Sequence, residues 1–375
     1  MFIGQKFQAG LCVILATCFT LLIAPGYTFA DEEKVLNVFN WSEYIGDNTV
    51  KRFQDETGIK VHYDTFDSNE TLLAKMITGR TGYDIIIPSS DFGKIMIDDG
   101  LVSSLTKEKL SNWNNLDPDV MSKLSQLDPG NNYMVPWLGG MVVVGYNIDK
   151  VKTALGDTPI PADPFELIFN PVYASKLKKC GISMLDAASD VFPSALLYIK
   201  KSPFSTNKAD YQEAASMLLK ARENISLFSS LGYITDIASG ALCVSLGYGG
   251  DFDSAGRRAK EAKNGVHIES PLPPNGAEFG FDSMMIPKDA PHPENALKWI
   301  NFILRPDVQA EITNKVMFMS PNLAARKYIN KDALANPIAF PPSEYLKHKA
   351  HFYEPRTSDI RRIMNRLFTN FKTGL

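Results

Sequence analysis

Strand-like and helix-like segments alternate early in this 375-residue chain. Residues 36–41 and 83–88 are apolar runs of strand length. Residues 60–66 have strand-like alternation, which places Val61, Tyr63 and Thr65 on one side and the residues between them on the other. Residues 48–56 and 68–79 have helical spacing, with a glycine at or just beyond the end of each. Because strand–helix–strand units build parallel sheets with helices on their faces, this order predicts an α/β fold. Ligands of such sheets bind beyond the carboxyl ends of the strands.

A second α/β region is expected downstream. The apolar stretch of residues 135–147 contains Gly139 and Gly140, which would let one strand leave the first domain and enter the second. The tail at residues 343–371 has a helical pattern. We expect two doubly wound α/β lobes, joined by a hinge, that close on a ligand in the cleft between them. The predicted lobes are residues 31–139 with 257–318, and residues 140–256 with 319–375.

Residues 1–30 have the pattern of a secretory signal peptide. A lysine gives the positive start, residues 11–24 are almost wholly apolar, and residues 28–30 offer a small-residue cleavage site. The apolar run is short for a membrane span, and no second long apolar segment follows. We therefore predict an exported, soluble mature chain, which is periplasmic if the host is Gram-negative. A lipoprotein signal with Cys18 as the acceptor is the alternative, which fits poorly because Thr17 precedes the cysteine.

Charge and length narrow the classes of partner. Removing residues 1–30 takes away Lys6 and no acid, which moves the formal net charge from −3 to −4. The 345 residues that remain are enough for two domains. A mildly acidic protein is not expected to bind nucleic acid, and its charge is compatible with a cationic ligand.

Two cysteines, Cys180 and Cys243, remain after the signal peptide is removed. In an oxidising compartment an even pair is a candidate disulfide, and two buried free thiols are the alternative. A bridge would close a long loop, for which the chain-entropy model gives roughly 4 kcal/mol of stabilisation.

Three short segments place an aromatic ring beside a carboxylate where an apolar run ends or turns. They are Trp41-Ser42-Glu43-Tyr44, Tyr248-Gly249-Gly250-Asp251 and Phe281-Asp282. Aromatic faces attract organic cations, and a carboxylate fixes the charge and the N–H donors of such a cation. Together the three segments predict a pocket for an amine. Core aromatics with solvated acids are the alternative for each segment taken alone.

An ordered series of segments, spread over essentially the whole mature chain, is similar to the periplasmic polyamine-binding proteins. These are the solute receptors of ABC importers for putrescine and spermidine, and the putrescine-binding branch is the most similar. The series consists of residues 37–45, 83–89, 185–192, 246–251, 281–287 and 301–307. The resemblance implies a type II periplasmic-binding-protein fold and a monomer without a cofactor. It also implies delivery of the ligand to ABC transporter permease subunits in the inner membrane.

The aromatic–carboxylate segments and the resemblance together give one set of candidate ligand-binding residues. In the roles that the resemblance implies, Trp41 and Tyr248 cover the methylene chain of the ligand. Asp251 and Asp282 pair with one ammonium group, two further acids serve the other end, and the serines offer acceptors. Asp251 and Ser89 also suit helix N-caps, which is the alternative role for them. The full set is Trp41, Ser42, Glu43, Tyr44, Ser89, Asp190, Ser230, Tyr248, Asp251, Phe281, Asp282 and Phe318.

The chain departs from the putrescine receptors at five positions of this pocket. The receptors carry Asp at the position of Glu43, Glu at Asp190, Trp at Tyr248, Tyr at Phe318 and an aromatic residue at Gly280. Losing a ring removes a cation–π contact that is worth about 0.5–2 kcal/mol. The resemblance therefore defines the ligand class, a di- or polyamine, better than it defines the ligand itself.

Two other functions are compatible with parts of the sequence. A receptor or sensor of the same fold for another cationic solute, such as a basic amino acid, would need an arginine for the carboxylate, and none is among the candidate residues. A secreted enzyme has little support, because no histidine lies in a His-Glu-x-x-His pattern or near a Gly-x-Ser-x-Gly motif. His348 and His351 are expected on one helix face, as a surface pair rather than a metal site. We expect no metal and no cofactor.

Overall fold

The computed structural model describes residues 1–4 and 32–374. The predicted signal peptide therefore lies outside the described residues except for its first four, and so does Cys18, the alternative lipidation site. None of the helices in the described part combines the length and the apolar character that a membrane span requires.

Strands are distributed over the whole of residues 35–352. They are β1 (Val35–Trp41), β2 (Lys60–Phe66), β3 (Ile85–Ile86), β4 (Val102–Ser103), β5 (Val135–Asn147), β6 (Ile182–Met184), β7 (Leu227–Phe228), β8 (Val244–Tyr248), β9 (Ile268–Glu269), β10 (Ala277–Met284), β11 (Ile286–Pro287) and β12 (Ala350–Phe352).

Helices separate most of these strands. The α-helices are α1 (Thr49–Thr57), α2 (Asn69–Thr78), α3 (Ser90–Asp98), α4 (Pro118–Leu124), α5 (Ile148–Leu155), α6 (Glu166–Phe169), α7 (Pro171–Leu177), α8 (Ala188–Tyr198), α9 (Lys208–Ala221), α10 (Gly232–Ser239), α11 (Gly249–Ala262), α12 (Pro293–Ile303), α13 (Pro306–Val316), α14 (Lys331–Ala335), α15 (Ser343–His348) and α16 (Ser358–Thr373). Short 3₁₀ helices cover Lys107–Lys109, Trp113–Asn115, Lys178–Cys180, Arg222–Asn224 and Leu323–Tyr328.

The first three strands form the parallel sheet that the sequence predicts. β1 lies at its centre and pairs in parallel with β2 and with β3. The connecting helix α2 begins as expected, because the Ser68 hydroxyl accepts a hydrogen bond from the Thr71 N–H at 3.2 Å. The carboxyl ends of β1 and β2 are paired through Trp41 and Phe66, so both residues lie at one edge of this sheet.

A larger mixed sheet has the order β12-β10-β5-β8-β6-β7, and β9 also pairs with β5. The long strand β5 is antiparallel to β10 and to β8, whereas β6 is parallel to both of its neighbours. A two-stranded sheet of β4 and β11 completes the sheet structure of the described residues.

Strand β5 connects the two large hydrophobic cores. Its first half contributes Val135 and Trp137 to one core, and its second half contributes Val142 and Val144 to the other. All four side chains are almost fully buried. A strand that is buried on both faces needs apolar side chains on both faces, which explains the nearly continuous apolar sequence of residues 135–147.

The glycine pair in β5 makes room for two aromatic rings. A Cβ atom at Gly139 would lie 2.5 Å from the ring of Phe281, and a Cβ atom at Gly140 would lie 2.7 Å from the ring of Phe318. Any larger residue would displace one of these rings. The pair is therefore required by close packing, and β5 continues through it without a break.

The tail is not one helix, and the helical pattern predicted for residues 343–371 is wrong at its centre. Helix α15 ends at His348, strand β12 follows, and α16 begins only at Ser358. Pro355 disfavours a helix at and before its position, and β12 gains a partner by adding in parallel to the edge of β10. His351 lies in β12, so it does not share a helix face with His348.

Cys180 and Cys243 form the predicted disulfide, with Cα atoms 5.6 Å apart. Each cysteine stands close before a strand, Cys180 before β6 and Cys243 before β8. These two strands are paired neighbours, so the bridge ties together their starting points. The alternative of two free thiols is wrong.

Candidate functional site

A gap beside the ends of β1 and β8 brings together most of the candidate residues. Its empty space is about 640 Å³, including the mouth that opens to solvent. The candidate residues that line the gap are Trp41, Ser42, Tyr44, Ser89, Ser230, Tyr248, Asp251, Asp282 and Phe318.

The topology of the sheets places these side chains. Trp41 is the last residue of β1 and Tyr248 is the last residue of β8, while Ser89 stands between β3 and α3. Carboxyl ends of strands are where ligands bind in sheets of this kind. The gap therefore lies where the strand–helix order predicts a ligand site.

Aromatic rings form the walls of the gap. The rings of Trp41 and Tyr248 approach each other with centroids 6.1 Å apart, and the Trp41 indole N–H donates to the Ile87 carbonyl at 2.9 Å. On another side, the ring of Phe318 meets the ring of Tyr44 edge to face, with centroids 4.9 Å apart. Because Trp41 is anchored by a backbone hydrogen bond, its ring is held in a fixed orientation toward the gap.

Asp282 is held by hydroxyl groups. The Ser89 hydroxyl donates to its carboxylate at 2.6 Å. Burial raises the pKa of Asp282 to about 7, although the hydroxyls of Ser89 and Tyr44 oppose the shift. Ser89 does occupy the N-cap position of α3, but its side chain makes no capping bond there. Its hydroxyl also accepts from the Asn69 amide at 3.0 Å.

Asp251 projects from the first turn of α11. The Tyr233 hydroxyl donates to it at 2.5 Å, and burial raises the pKa of Asp251 to about 7. Helix α11 begins at Gly249, with Tyr248 at the N-cap position. The alternative role of Asp251 as the N-cap is therefore wrong, because the helix starts before this residue.

Asp190 lies behind the ring of Tyr248 and does not line the gap directly. The Tyr248 hydroxyl donates to its carboxylate at 2.8 Å. Burial is the main cause that raises the pKa of Asp190 to about 8, and the nearby Glu70 adds to the shift. A ligand group that reaches Asp190 would therefore share this carboxylate with the Tyr248 hydroxyl.

Three candidate residues lie apart from the others. The Glu43 side chain is half exposed and forms an ion pair with Arg258, on a backbone with a positive φ of 56°. Phe281 is buried in a hydrophobic core, with its ring against Gly139. Asp190 is the third. Ser230 does line the gap, and its hydroxyl accepts from the Asp186 N–H at 3.1 Å.

The charge of this site is unbalanced. No lysine, arginine or histidine lines the gap within residues 32–374. The buried guanidinium of Arg356 forms ion pairs with other acids. It lies 3.1 Å from Asp91 and 3.8 Å from Glu278. Buried carboxylates without a cation bind protons more readily, which is the common cause of the raised pKa values of the gap acids. A ligand with separated positive charges would supply the missing compensation.

Sequence analysis did not identify several residues that line the gap. Tyr353 is the most important of them, because its ring lies against Gly280. We missed Tyr353 because we expected one helix over residues 343–371. Pro355 is the signal in the sequence that this helix is interrupted. The other residues are Phe66, Asp67, Gly140, Met141, Leu231 and Ile234.

The described part of the chain holds no group of three or more His, Cys, Asp or Glu side chains that is arranged to bind a metal ion. The acids of the gap are partnered by tyrosine and serine hydroxyls instead. Their chemistry suits hydrogen-bonding cations.

Comparisons with known proteins agree with this architecture. A putrescine-binding periplasmic protein of Pseudomonas aeruginosa, SpuD, is 42% identical over 349 residues, which cover 93% of this chain and 95% of that protein. The putrescine-binding periplasmic protein PotF of Escherichia coli is 41% identical over 348 residues, covering 92% and 94%.

Solved structures and family models lead to the same conclusion. A Listeria monocytogenes protein described as a spermidine/putrescine ABC transporter superposes with a TM-score of 0.80 at 30% identity, covering 90% of this chain and 99% of that one. The fold is the type II periplasmic-binding-protein fold, with two α/β lobes and a cleft between them. The model of the bacterial extracellular solute-binding proteins matches residues 48–341. The chain belongs to the family of bacterial extracellular solute-binding proteins.

Proposed function

We propose that this protein is an extracytoplasmic receptor that captures a di- or polyamine of the putrescine and spermidine class and delivers it to an ABC transporter. The observation that carries the proposal is the set of buried acids around an aromatic gap that contains no cationic side chain in the described residues. The names of SpuD and PotF, which are 42% and 41% identical to this chain, point to the same class of ligand.

The methylene chain of the ligand matches the aromatic rings of the gap, and its ammonium groups match the carboxylates. Its methylene chain would lie against the rings of Trp41 and Tyr248, where burial and cation–π attraction favour it. One ammonium group would donate to Asp251 and Asp282, and the other would reach Asp190 beside the Tyr248 hydroxyl. Charge-assisted hydrogen bonds of this kind are roughly twice as strong as neutral ones.

Binding would be coupled to closure of two lobes. The proposed lobes are residues 31–139 with 257–318, and residues 140–256 with 319–375. Candidate residues would come from both of them, so that a complete site exists only when the lobes are closed. The closed, loaded monomer would then dock on the permease in the inner membrane, with the receptor free in the periplasm after its signal peptide is removed.

A panel of ligands in a thermal-shift assay tests this function. Putrescine, cadaverine, spermidine and agmatine are compared with lysine and arginine at equal concentrations. A ligand that is present at about 100 times its Kd stabilises the native state by roughly 2.7 kcal/mol, which raises the melting temperature. We expect shifts with one or more amines and none with the amino acids, because their carboxylate would face Asp251 and Asp282.

Two outcomes would contradict the proposal. A shift with lysine or arginine but with no amine would make the protein a receptor for basic amino acids. Formation of a new product during incubation with an amine, detected by mass spectrometry, would indicate an enzyme. Calorimetry with the ligand that raises the melting temperature most then gives the affinity and the stoichiometry. We expect one ligand per chain.

A further inference from the structure

The ring of Tyr353 fills the space that a side chain at position 280 would take. A Cβ atom at Gly280 would lie 1.9 Å from Cδ2 and 2.1 Å from Cε2 of that ring. Real non-bonded atoms do not approach so closely, so the ring occupies the place of a Cβ atom at position 280 and only glycine permits it. Both residues line the gap.

The backbone around Tyr353 holds the ring in this place. Its N–H donates to the Phe279 carbonyl at 3.1 Å, which extends the pairing of β12 with β10 by one residue. The ring of Phe204 meets it edge to face, with centroids 6.4 Å apart. The ring is thus held by its contact with β10, by Phe204 and by the backbone hydrogen bond that follows β12.

The Tyr353 hydroxyl has no hydrogen-bond partner within residues 32–374, although the side chain is partly buried. Burial raises the pKa of the Tyr353 phenol well above its usual range, and the nearby acids Glu278, Asp282 and Asp190 add to the shift. Tyr44 and Tyr248 line the same gap as Tyr353. The hydroxyl therefore stays protonated, and it belongs to a side chain that lines the same gap as Asp251 and Asp282.

We propose that Tyr353 is a ligand-contacting residue that sets specificity, with Gly280 as the position that admits its ring. This inference rests on the proposed amine-binding function. The ring covers the methylene chain, and the hydroxyl oxygen accepts a hydrogen bond from a ligand N–H. The ring lies on Gly280, which stands two residues before Asp282 on the same face of β10, and Tyr248, whose hydroxyl donates to Asp190, lines the same gap. The Tyr353 side chain is thus placed between the acids that serve the two ends of a bound amine.

The position of the hydroxyl defines the class of amine that uses it. When a ligand displaces water from the gap, an unpaired hydroxyl loses its hydration, and a methylene group offers no hydrogen bond in return. An amine with a nitrogen between its ends restores the hydrogen bond. The Tyr353 hydroxyl therefore favours a triamine such as spermidine over a simple diamine such as putrescine.

Calorimetry on the full mature chain tests this inference with Tyr353→Phe. We expect the affinity for spermidine to fall about tenfold and the affinity for putrescine to change less than about threefold, since only the triamine loses a hydrogen bond to a charged group. Tyr345→Phe is the matched control, because that hydroxyl donates to the Pro273 carbonyl away from the gap. An equal effect of Tyr353→Phe on both ligands would overturn the inference.

A second pair of variants tests the packing without any ligand. Gly280→Ala should lower the melting temperature in the parent protein, because the new methyl group meets the Tyr353 ring. In a Tyr353→Ala background the same change should have little effect, and additive effects would overturn the proposed packing. If the parent protein binds no amine, the proposed function fails together with this inference. If the parent binds amines and Tyr353→Phe keeps the ratio of the two affinities, the inference alone fails.

Discussion

The hydroxyl of Ser89 donates a hydrogen bond of 2.6 Å to Asp282, a residue 193 positions further along the chain. This bond joins the start of α3 to strand β10, and the backbones of the two residues also form an isolated antiparallel bridge. Asp282 is therefore positioned before any ligand arrives. A carboxylate that is oriented in advance loses little entropy when it pairs with an ammonium group.

Removing the charge of Asp282 or Asp251 should weaken amine binding. In Asp282→Asn and in Asp251→Asn the side-chain shape is kept, but an ammonium group of the ligand would be buried without its counter-charge. We expect each change to cost at least about 2 kcal/mol, or roughly 30-fold in Kd. Calorimetry measures the loss, with Asp157→Asn as an exposed control. Unchanged affinity in both gap variants would exclude this pocket as the amine site.

Amine affinity should increase with pH through neutrality. Burial raises the pKa of Asp251 and Asp282 to about 7 and that of Asp190 to about 8, so the ligand-free protein binds protons there at lower pH. A bound cation favours the ionised acids and expels these protons. Below the raised pKa values, each acid that must ionise costs up to about tenfold in Kd per pH unit. Calorimetry in buffers of different ionisation enthalpy should detect proton release, and a flat pH profile would contradict the assignment.

The stability of the ligand-free protein should show the opposite trend. Groups whose folded pKa is raised contribute stability below their unfolded pKa, and this contribution is lost as pH rises through the folded pKa. For Asp251, Asp282 and Asp190 the loss begins near the unfolded value of about 4 and is complete once the pH passes the folded values of about 7 to 8. Urea unfolding should give a free energy lower by roughly 1 kcal/mol or more at pH 9 than at pH 6. The double variant Asp251→Asn, Asp282→Asn should reduce this difference, and an unchanged difference would assign it to other groups.

The disulfide should contribute measurably to stability. It closes a loop with a sequence separation of 63, for which the chain-entropy model gives about 4 kcal/mol. We expect the Cys180→Ala, Cys243→Ala variant to lose about 2–4 kcal/mol of unfolding free energy in urea. Its amine affinity at low temperature should stay within about threefold of the parent, because the bridge lies before β6 and β8, away from the carboxyl ends of these strands. A large loss of affinity in the folded variant would show that the bridge also shapes the gap.

Arg356 should be essential to the folded state. Its guanidinium is almost fully buried between Asp91 and Glu278, and both acids lie beyond the gap. Arg356→Met would leave these acids without a cation, which typically costs about 3–5 kcal/mol. Because the acids can take up protons, the loss should be smaller at about pH 5 than at pH 8. Urea unfolding measures it, with the exposed Arg362→Met as control. A loss that does not depend on pH would point to packing rather than charge.

Local sequence patterns were sufficient to predict those parts of the structure that interactions between neighbouring residues determine. The strand and helix order of residues 35–98, the N-cap at Ser68 and the cysteine pair could all be predicted from neighbouring residues and the compartment. The aromatic residues at strand ends were also recognisable, because carboxyl ends of parallel strands meet at one edge. Trp41 and Tyr248 lie where this rule expects them.

Sequence alone determined the α/β architecture, the family resemblance and the chemical types that surround the gap. Tertiary structure alone decided which of these groups meet there. The Phe281 side chain points into a hydrophobic core and that of Asp282 faces the gap, because successive residues of a strand point to opposite sides. Tyr353 entered the gap from the tail, because β12 pairs with β10 and Gly280 leaves room for a ring. Contacts of this kind join residues that are distant in sequence, so no local pattern encodes them.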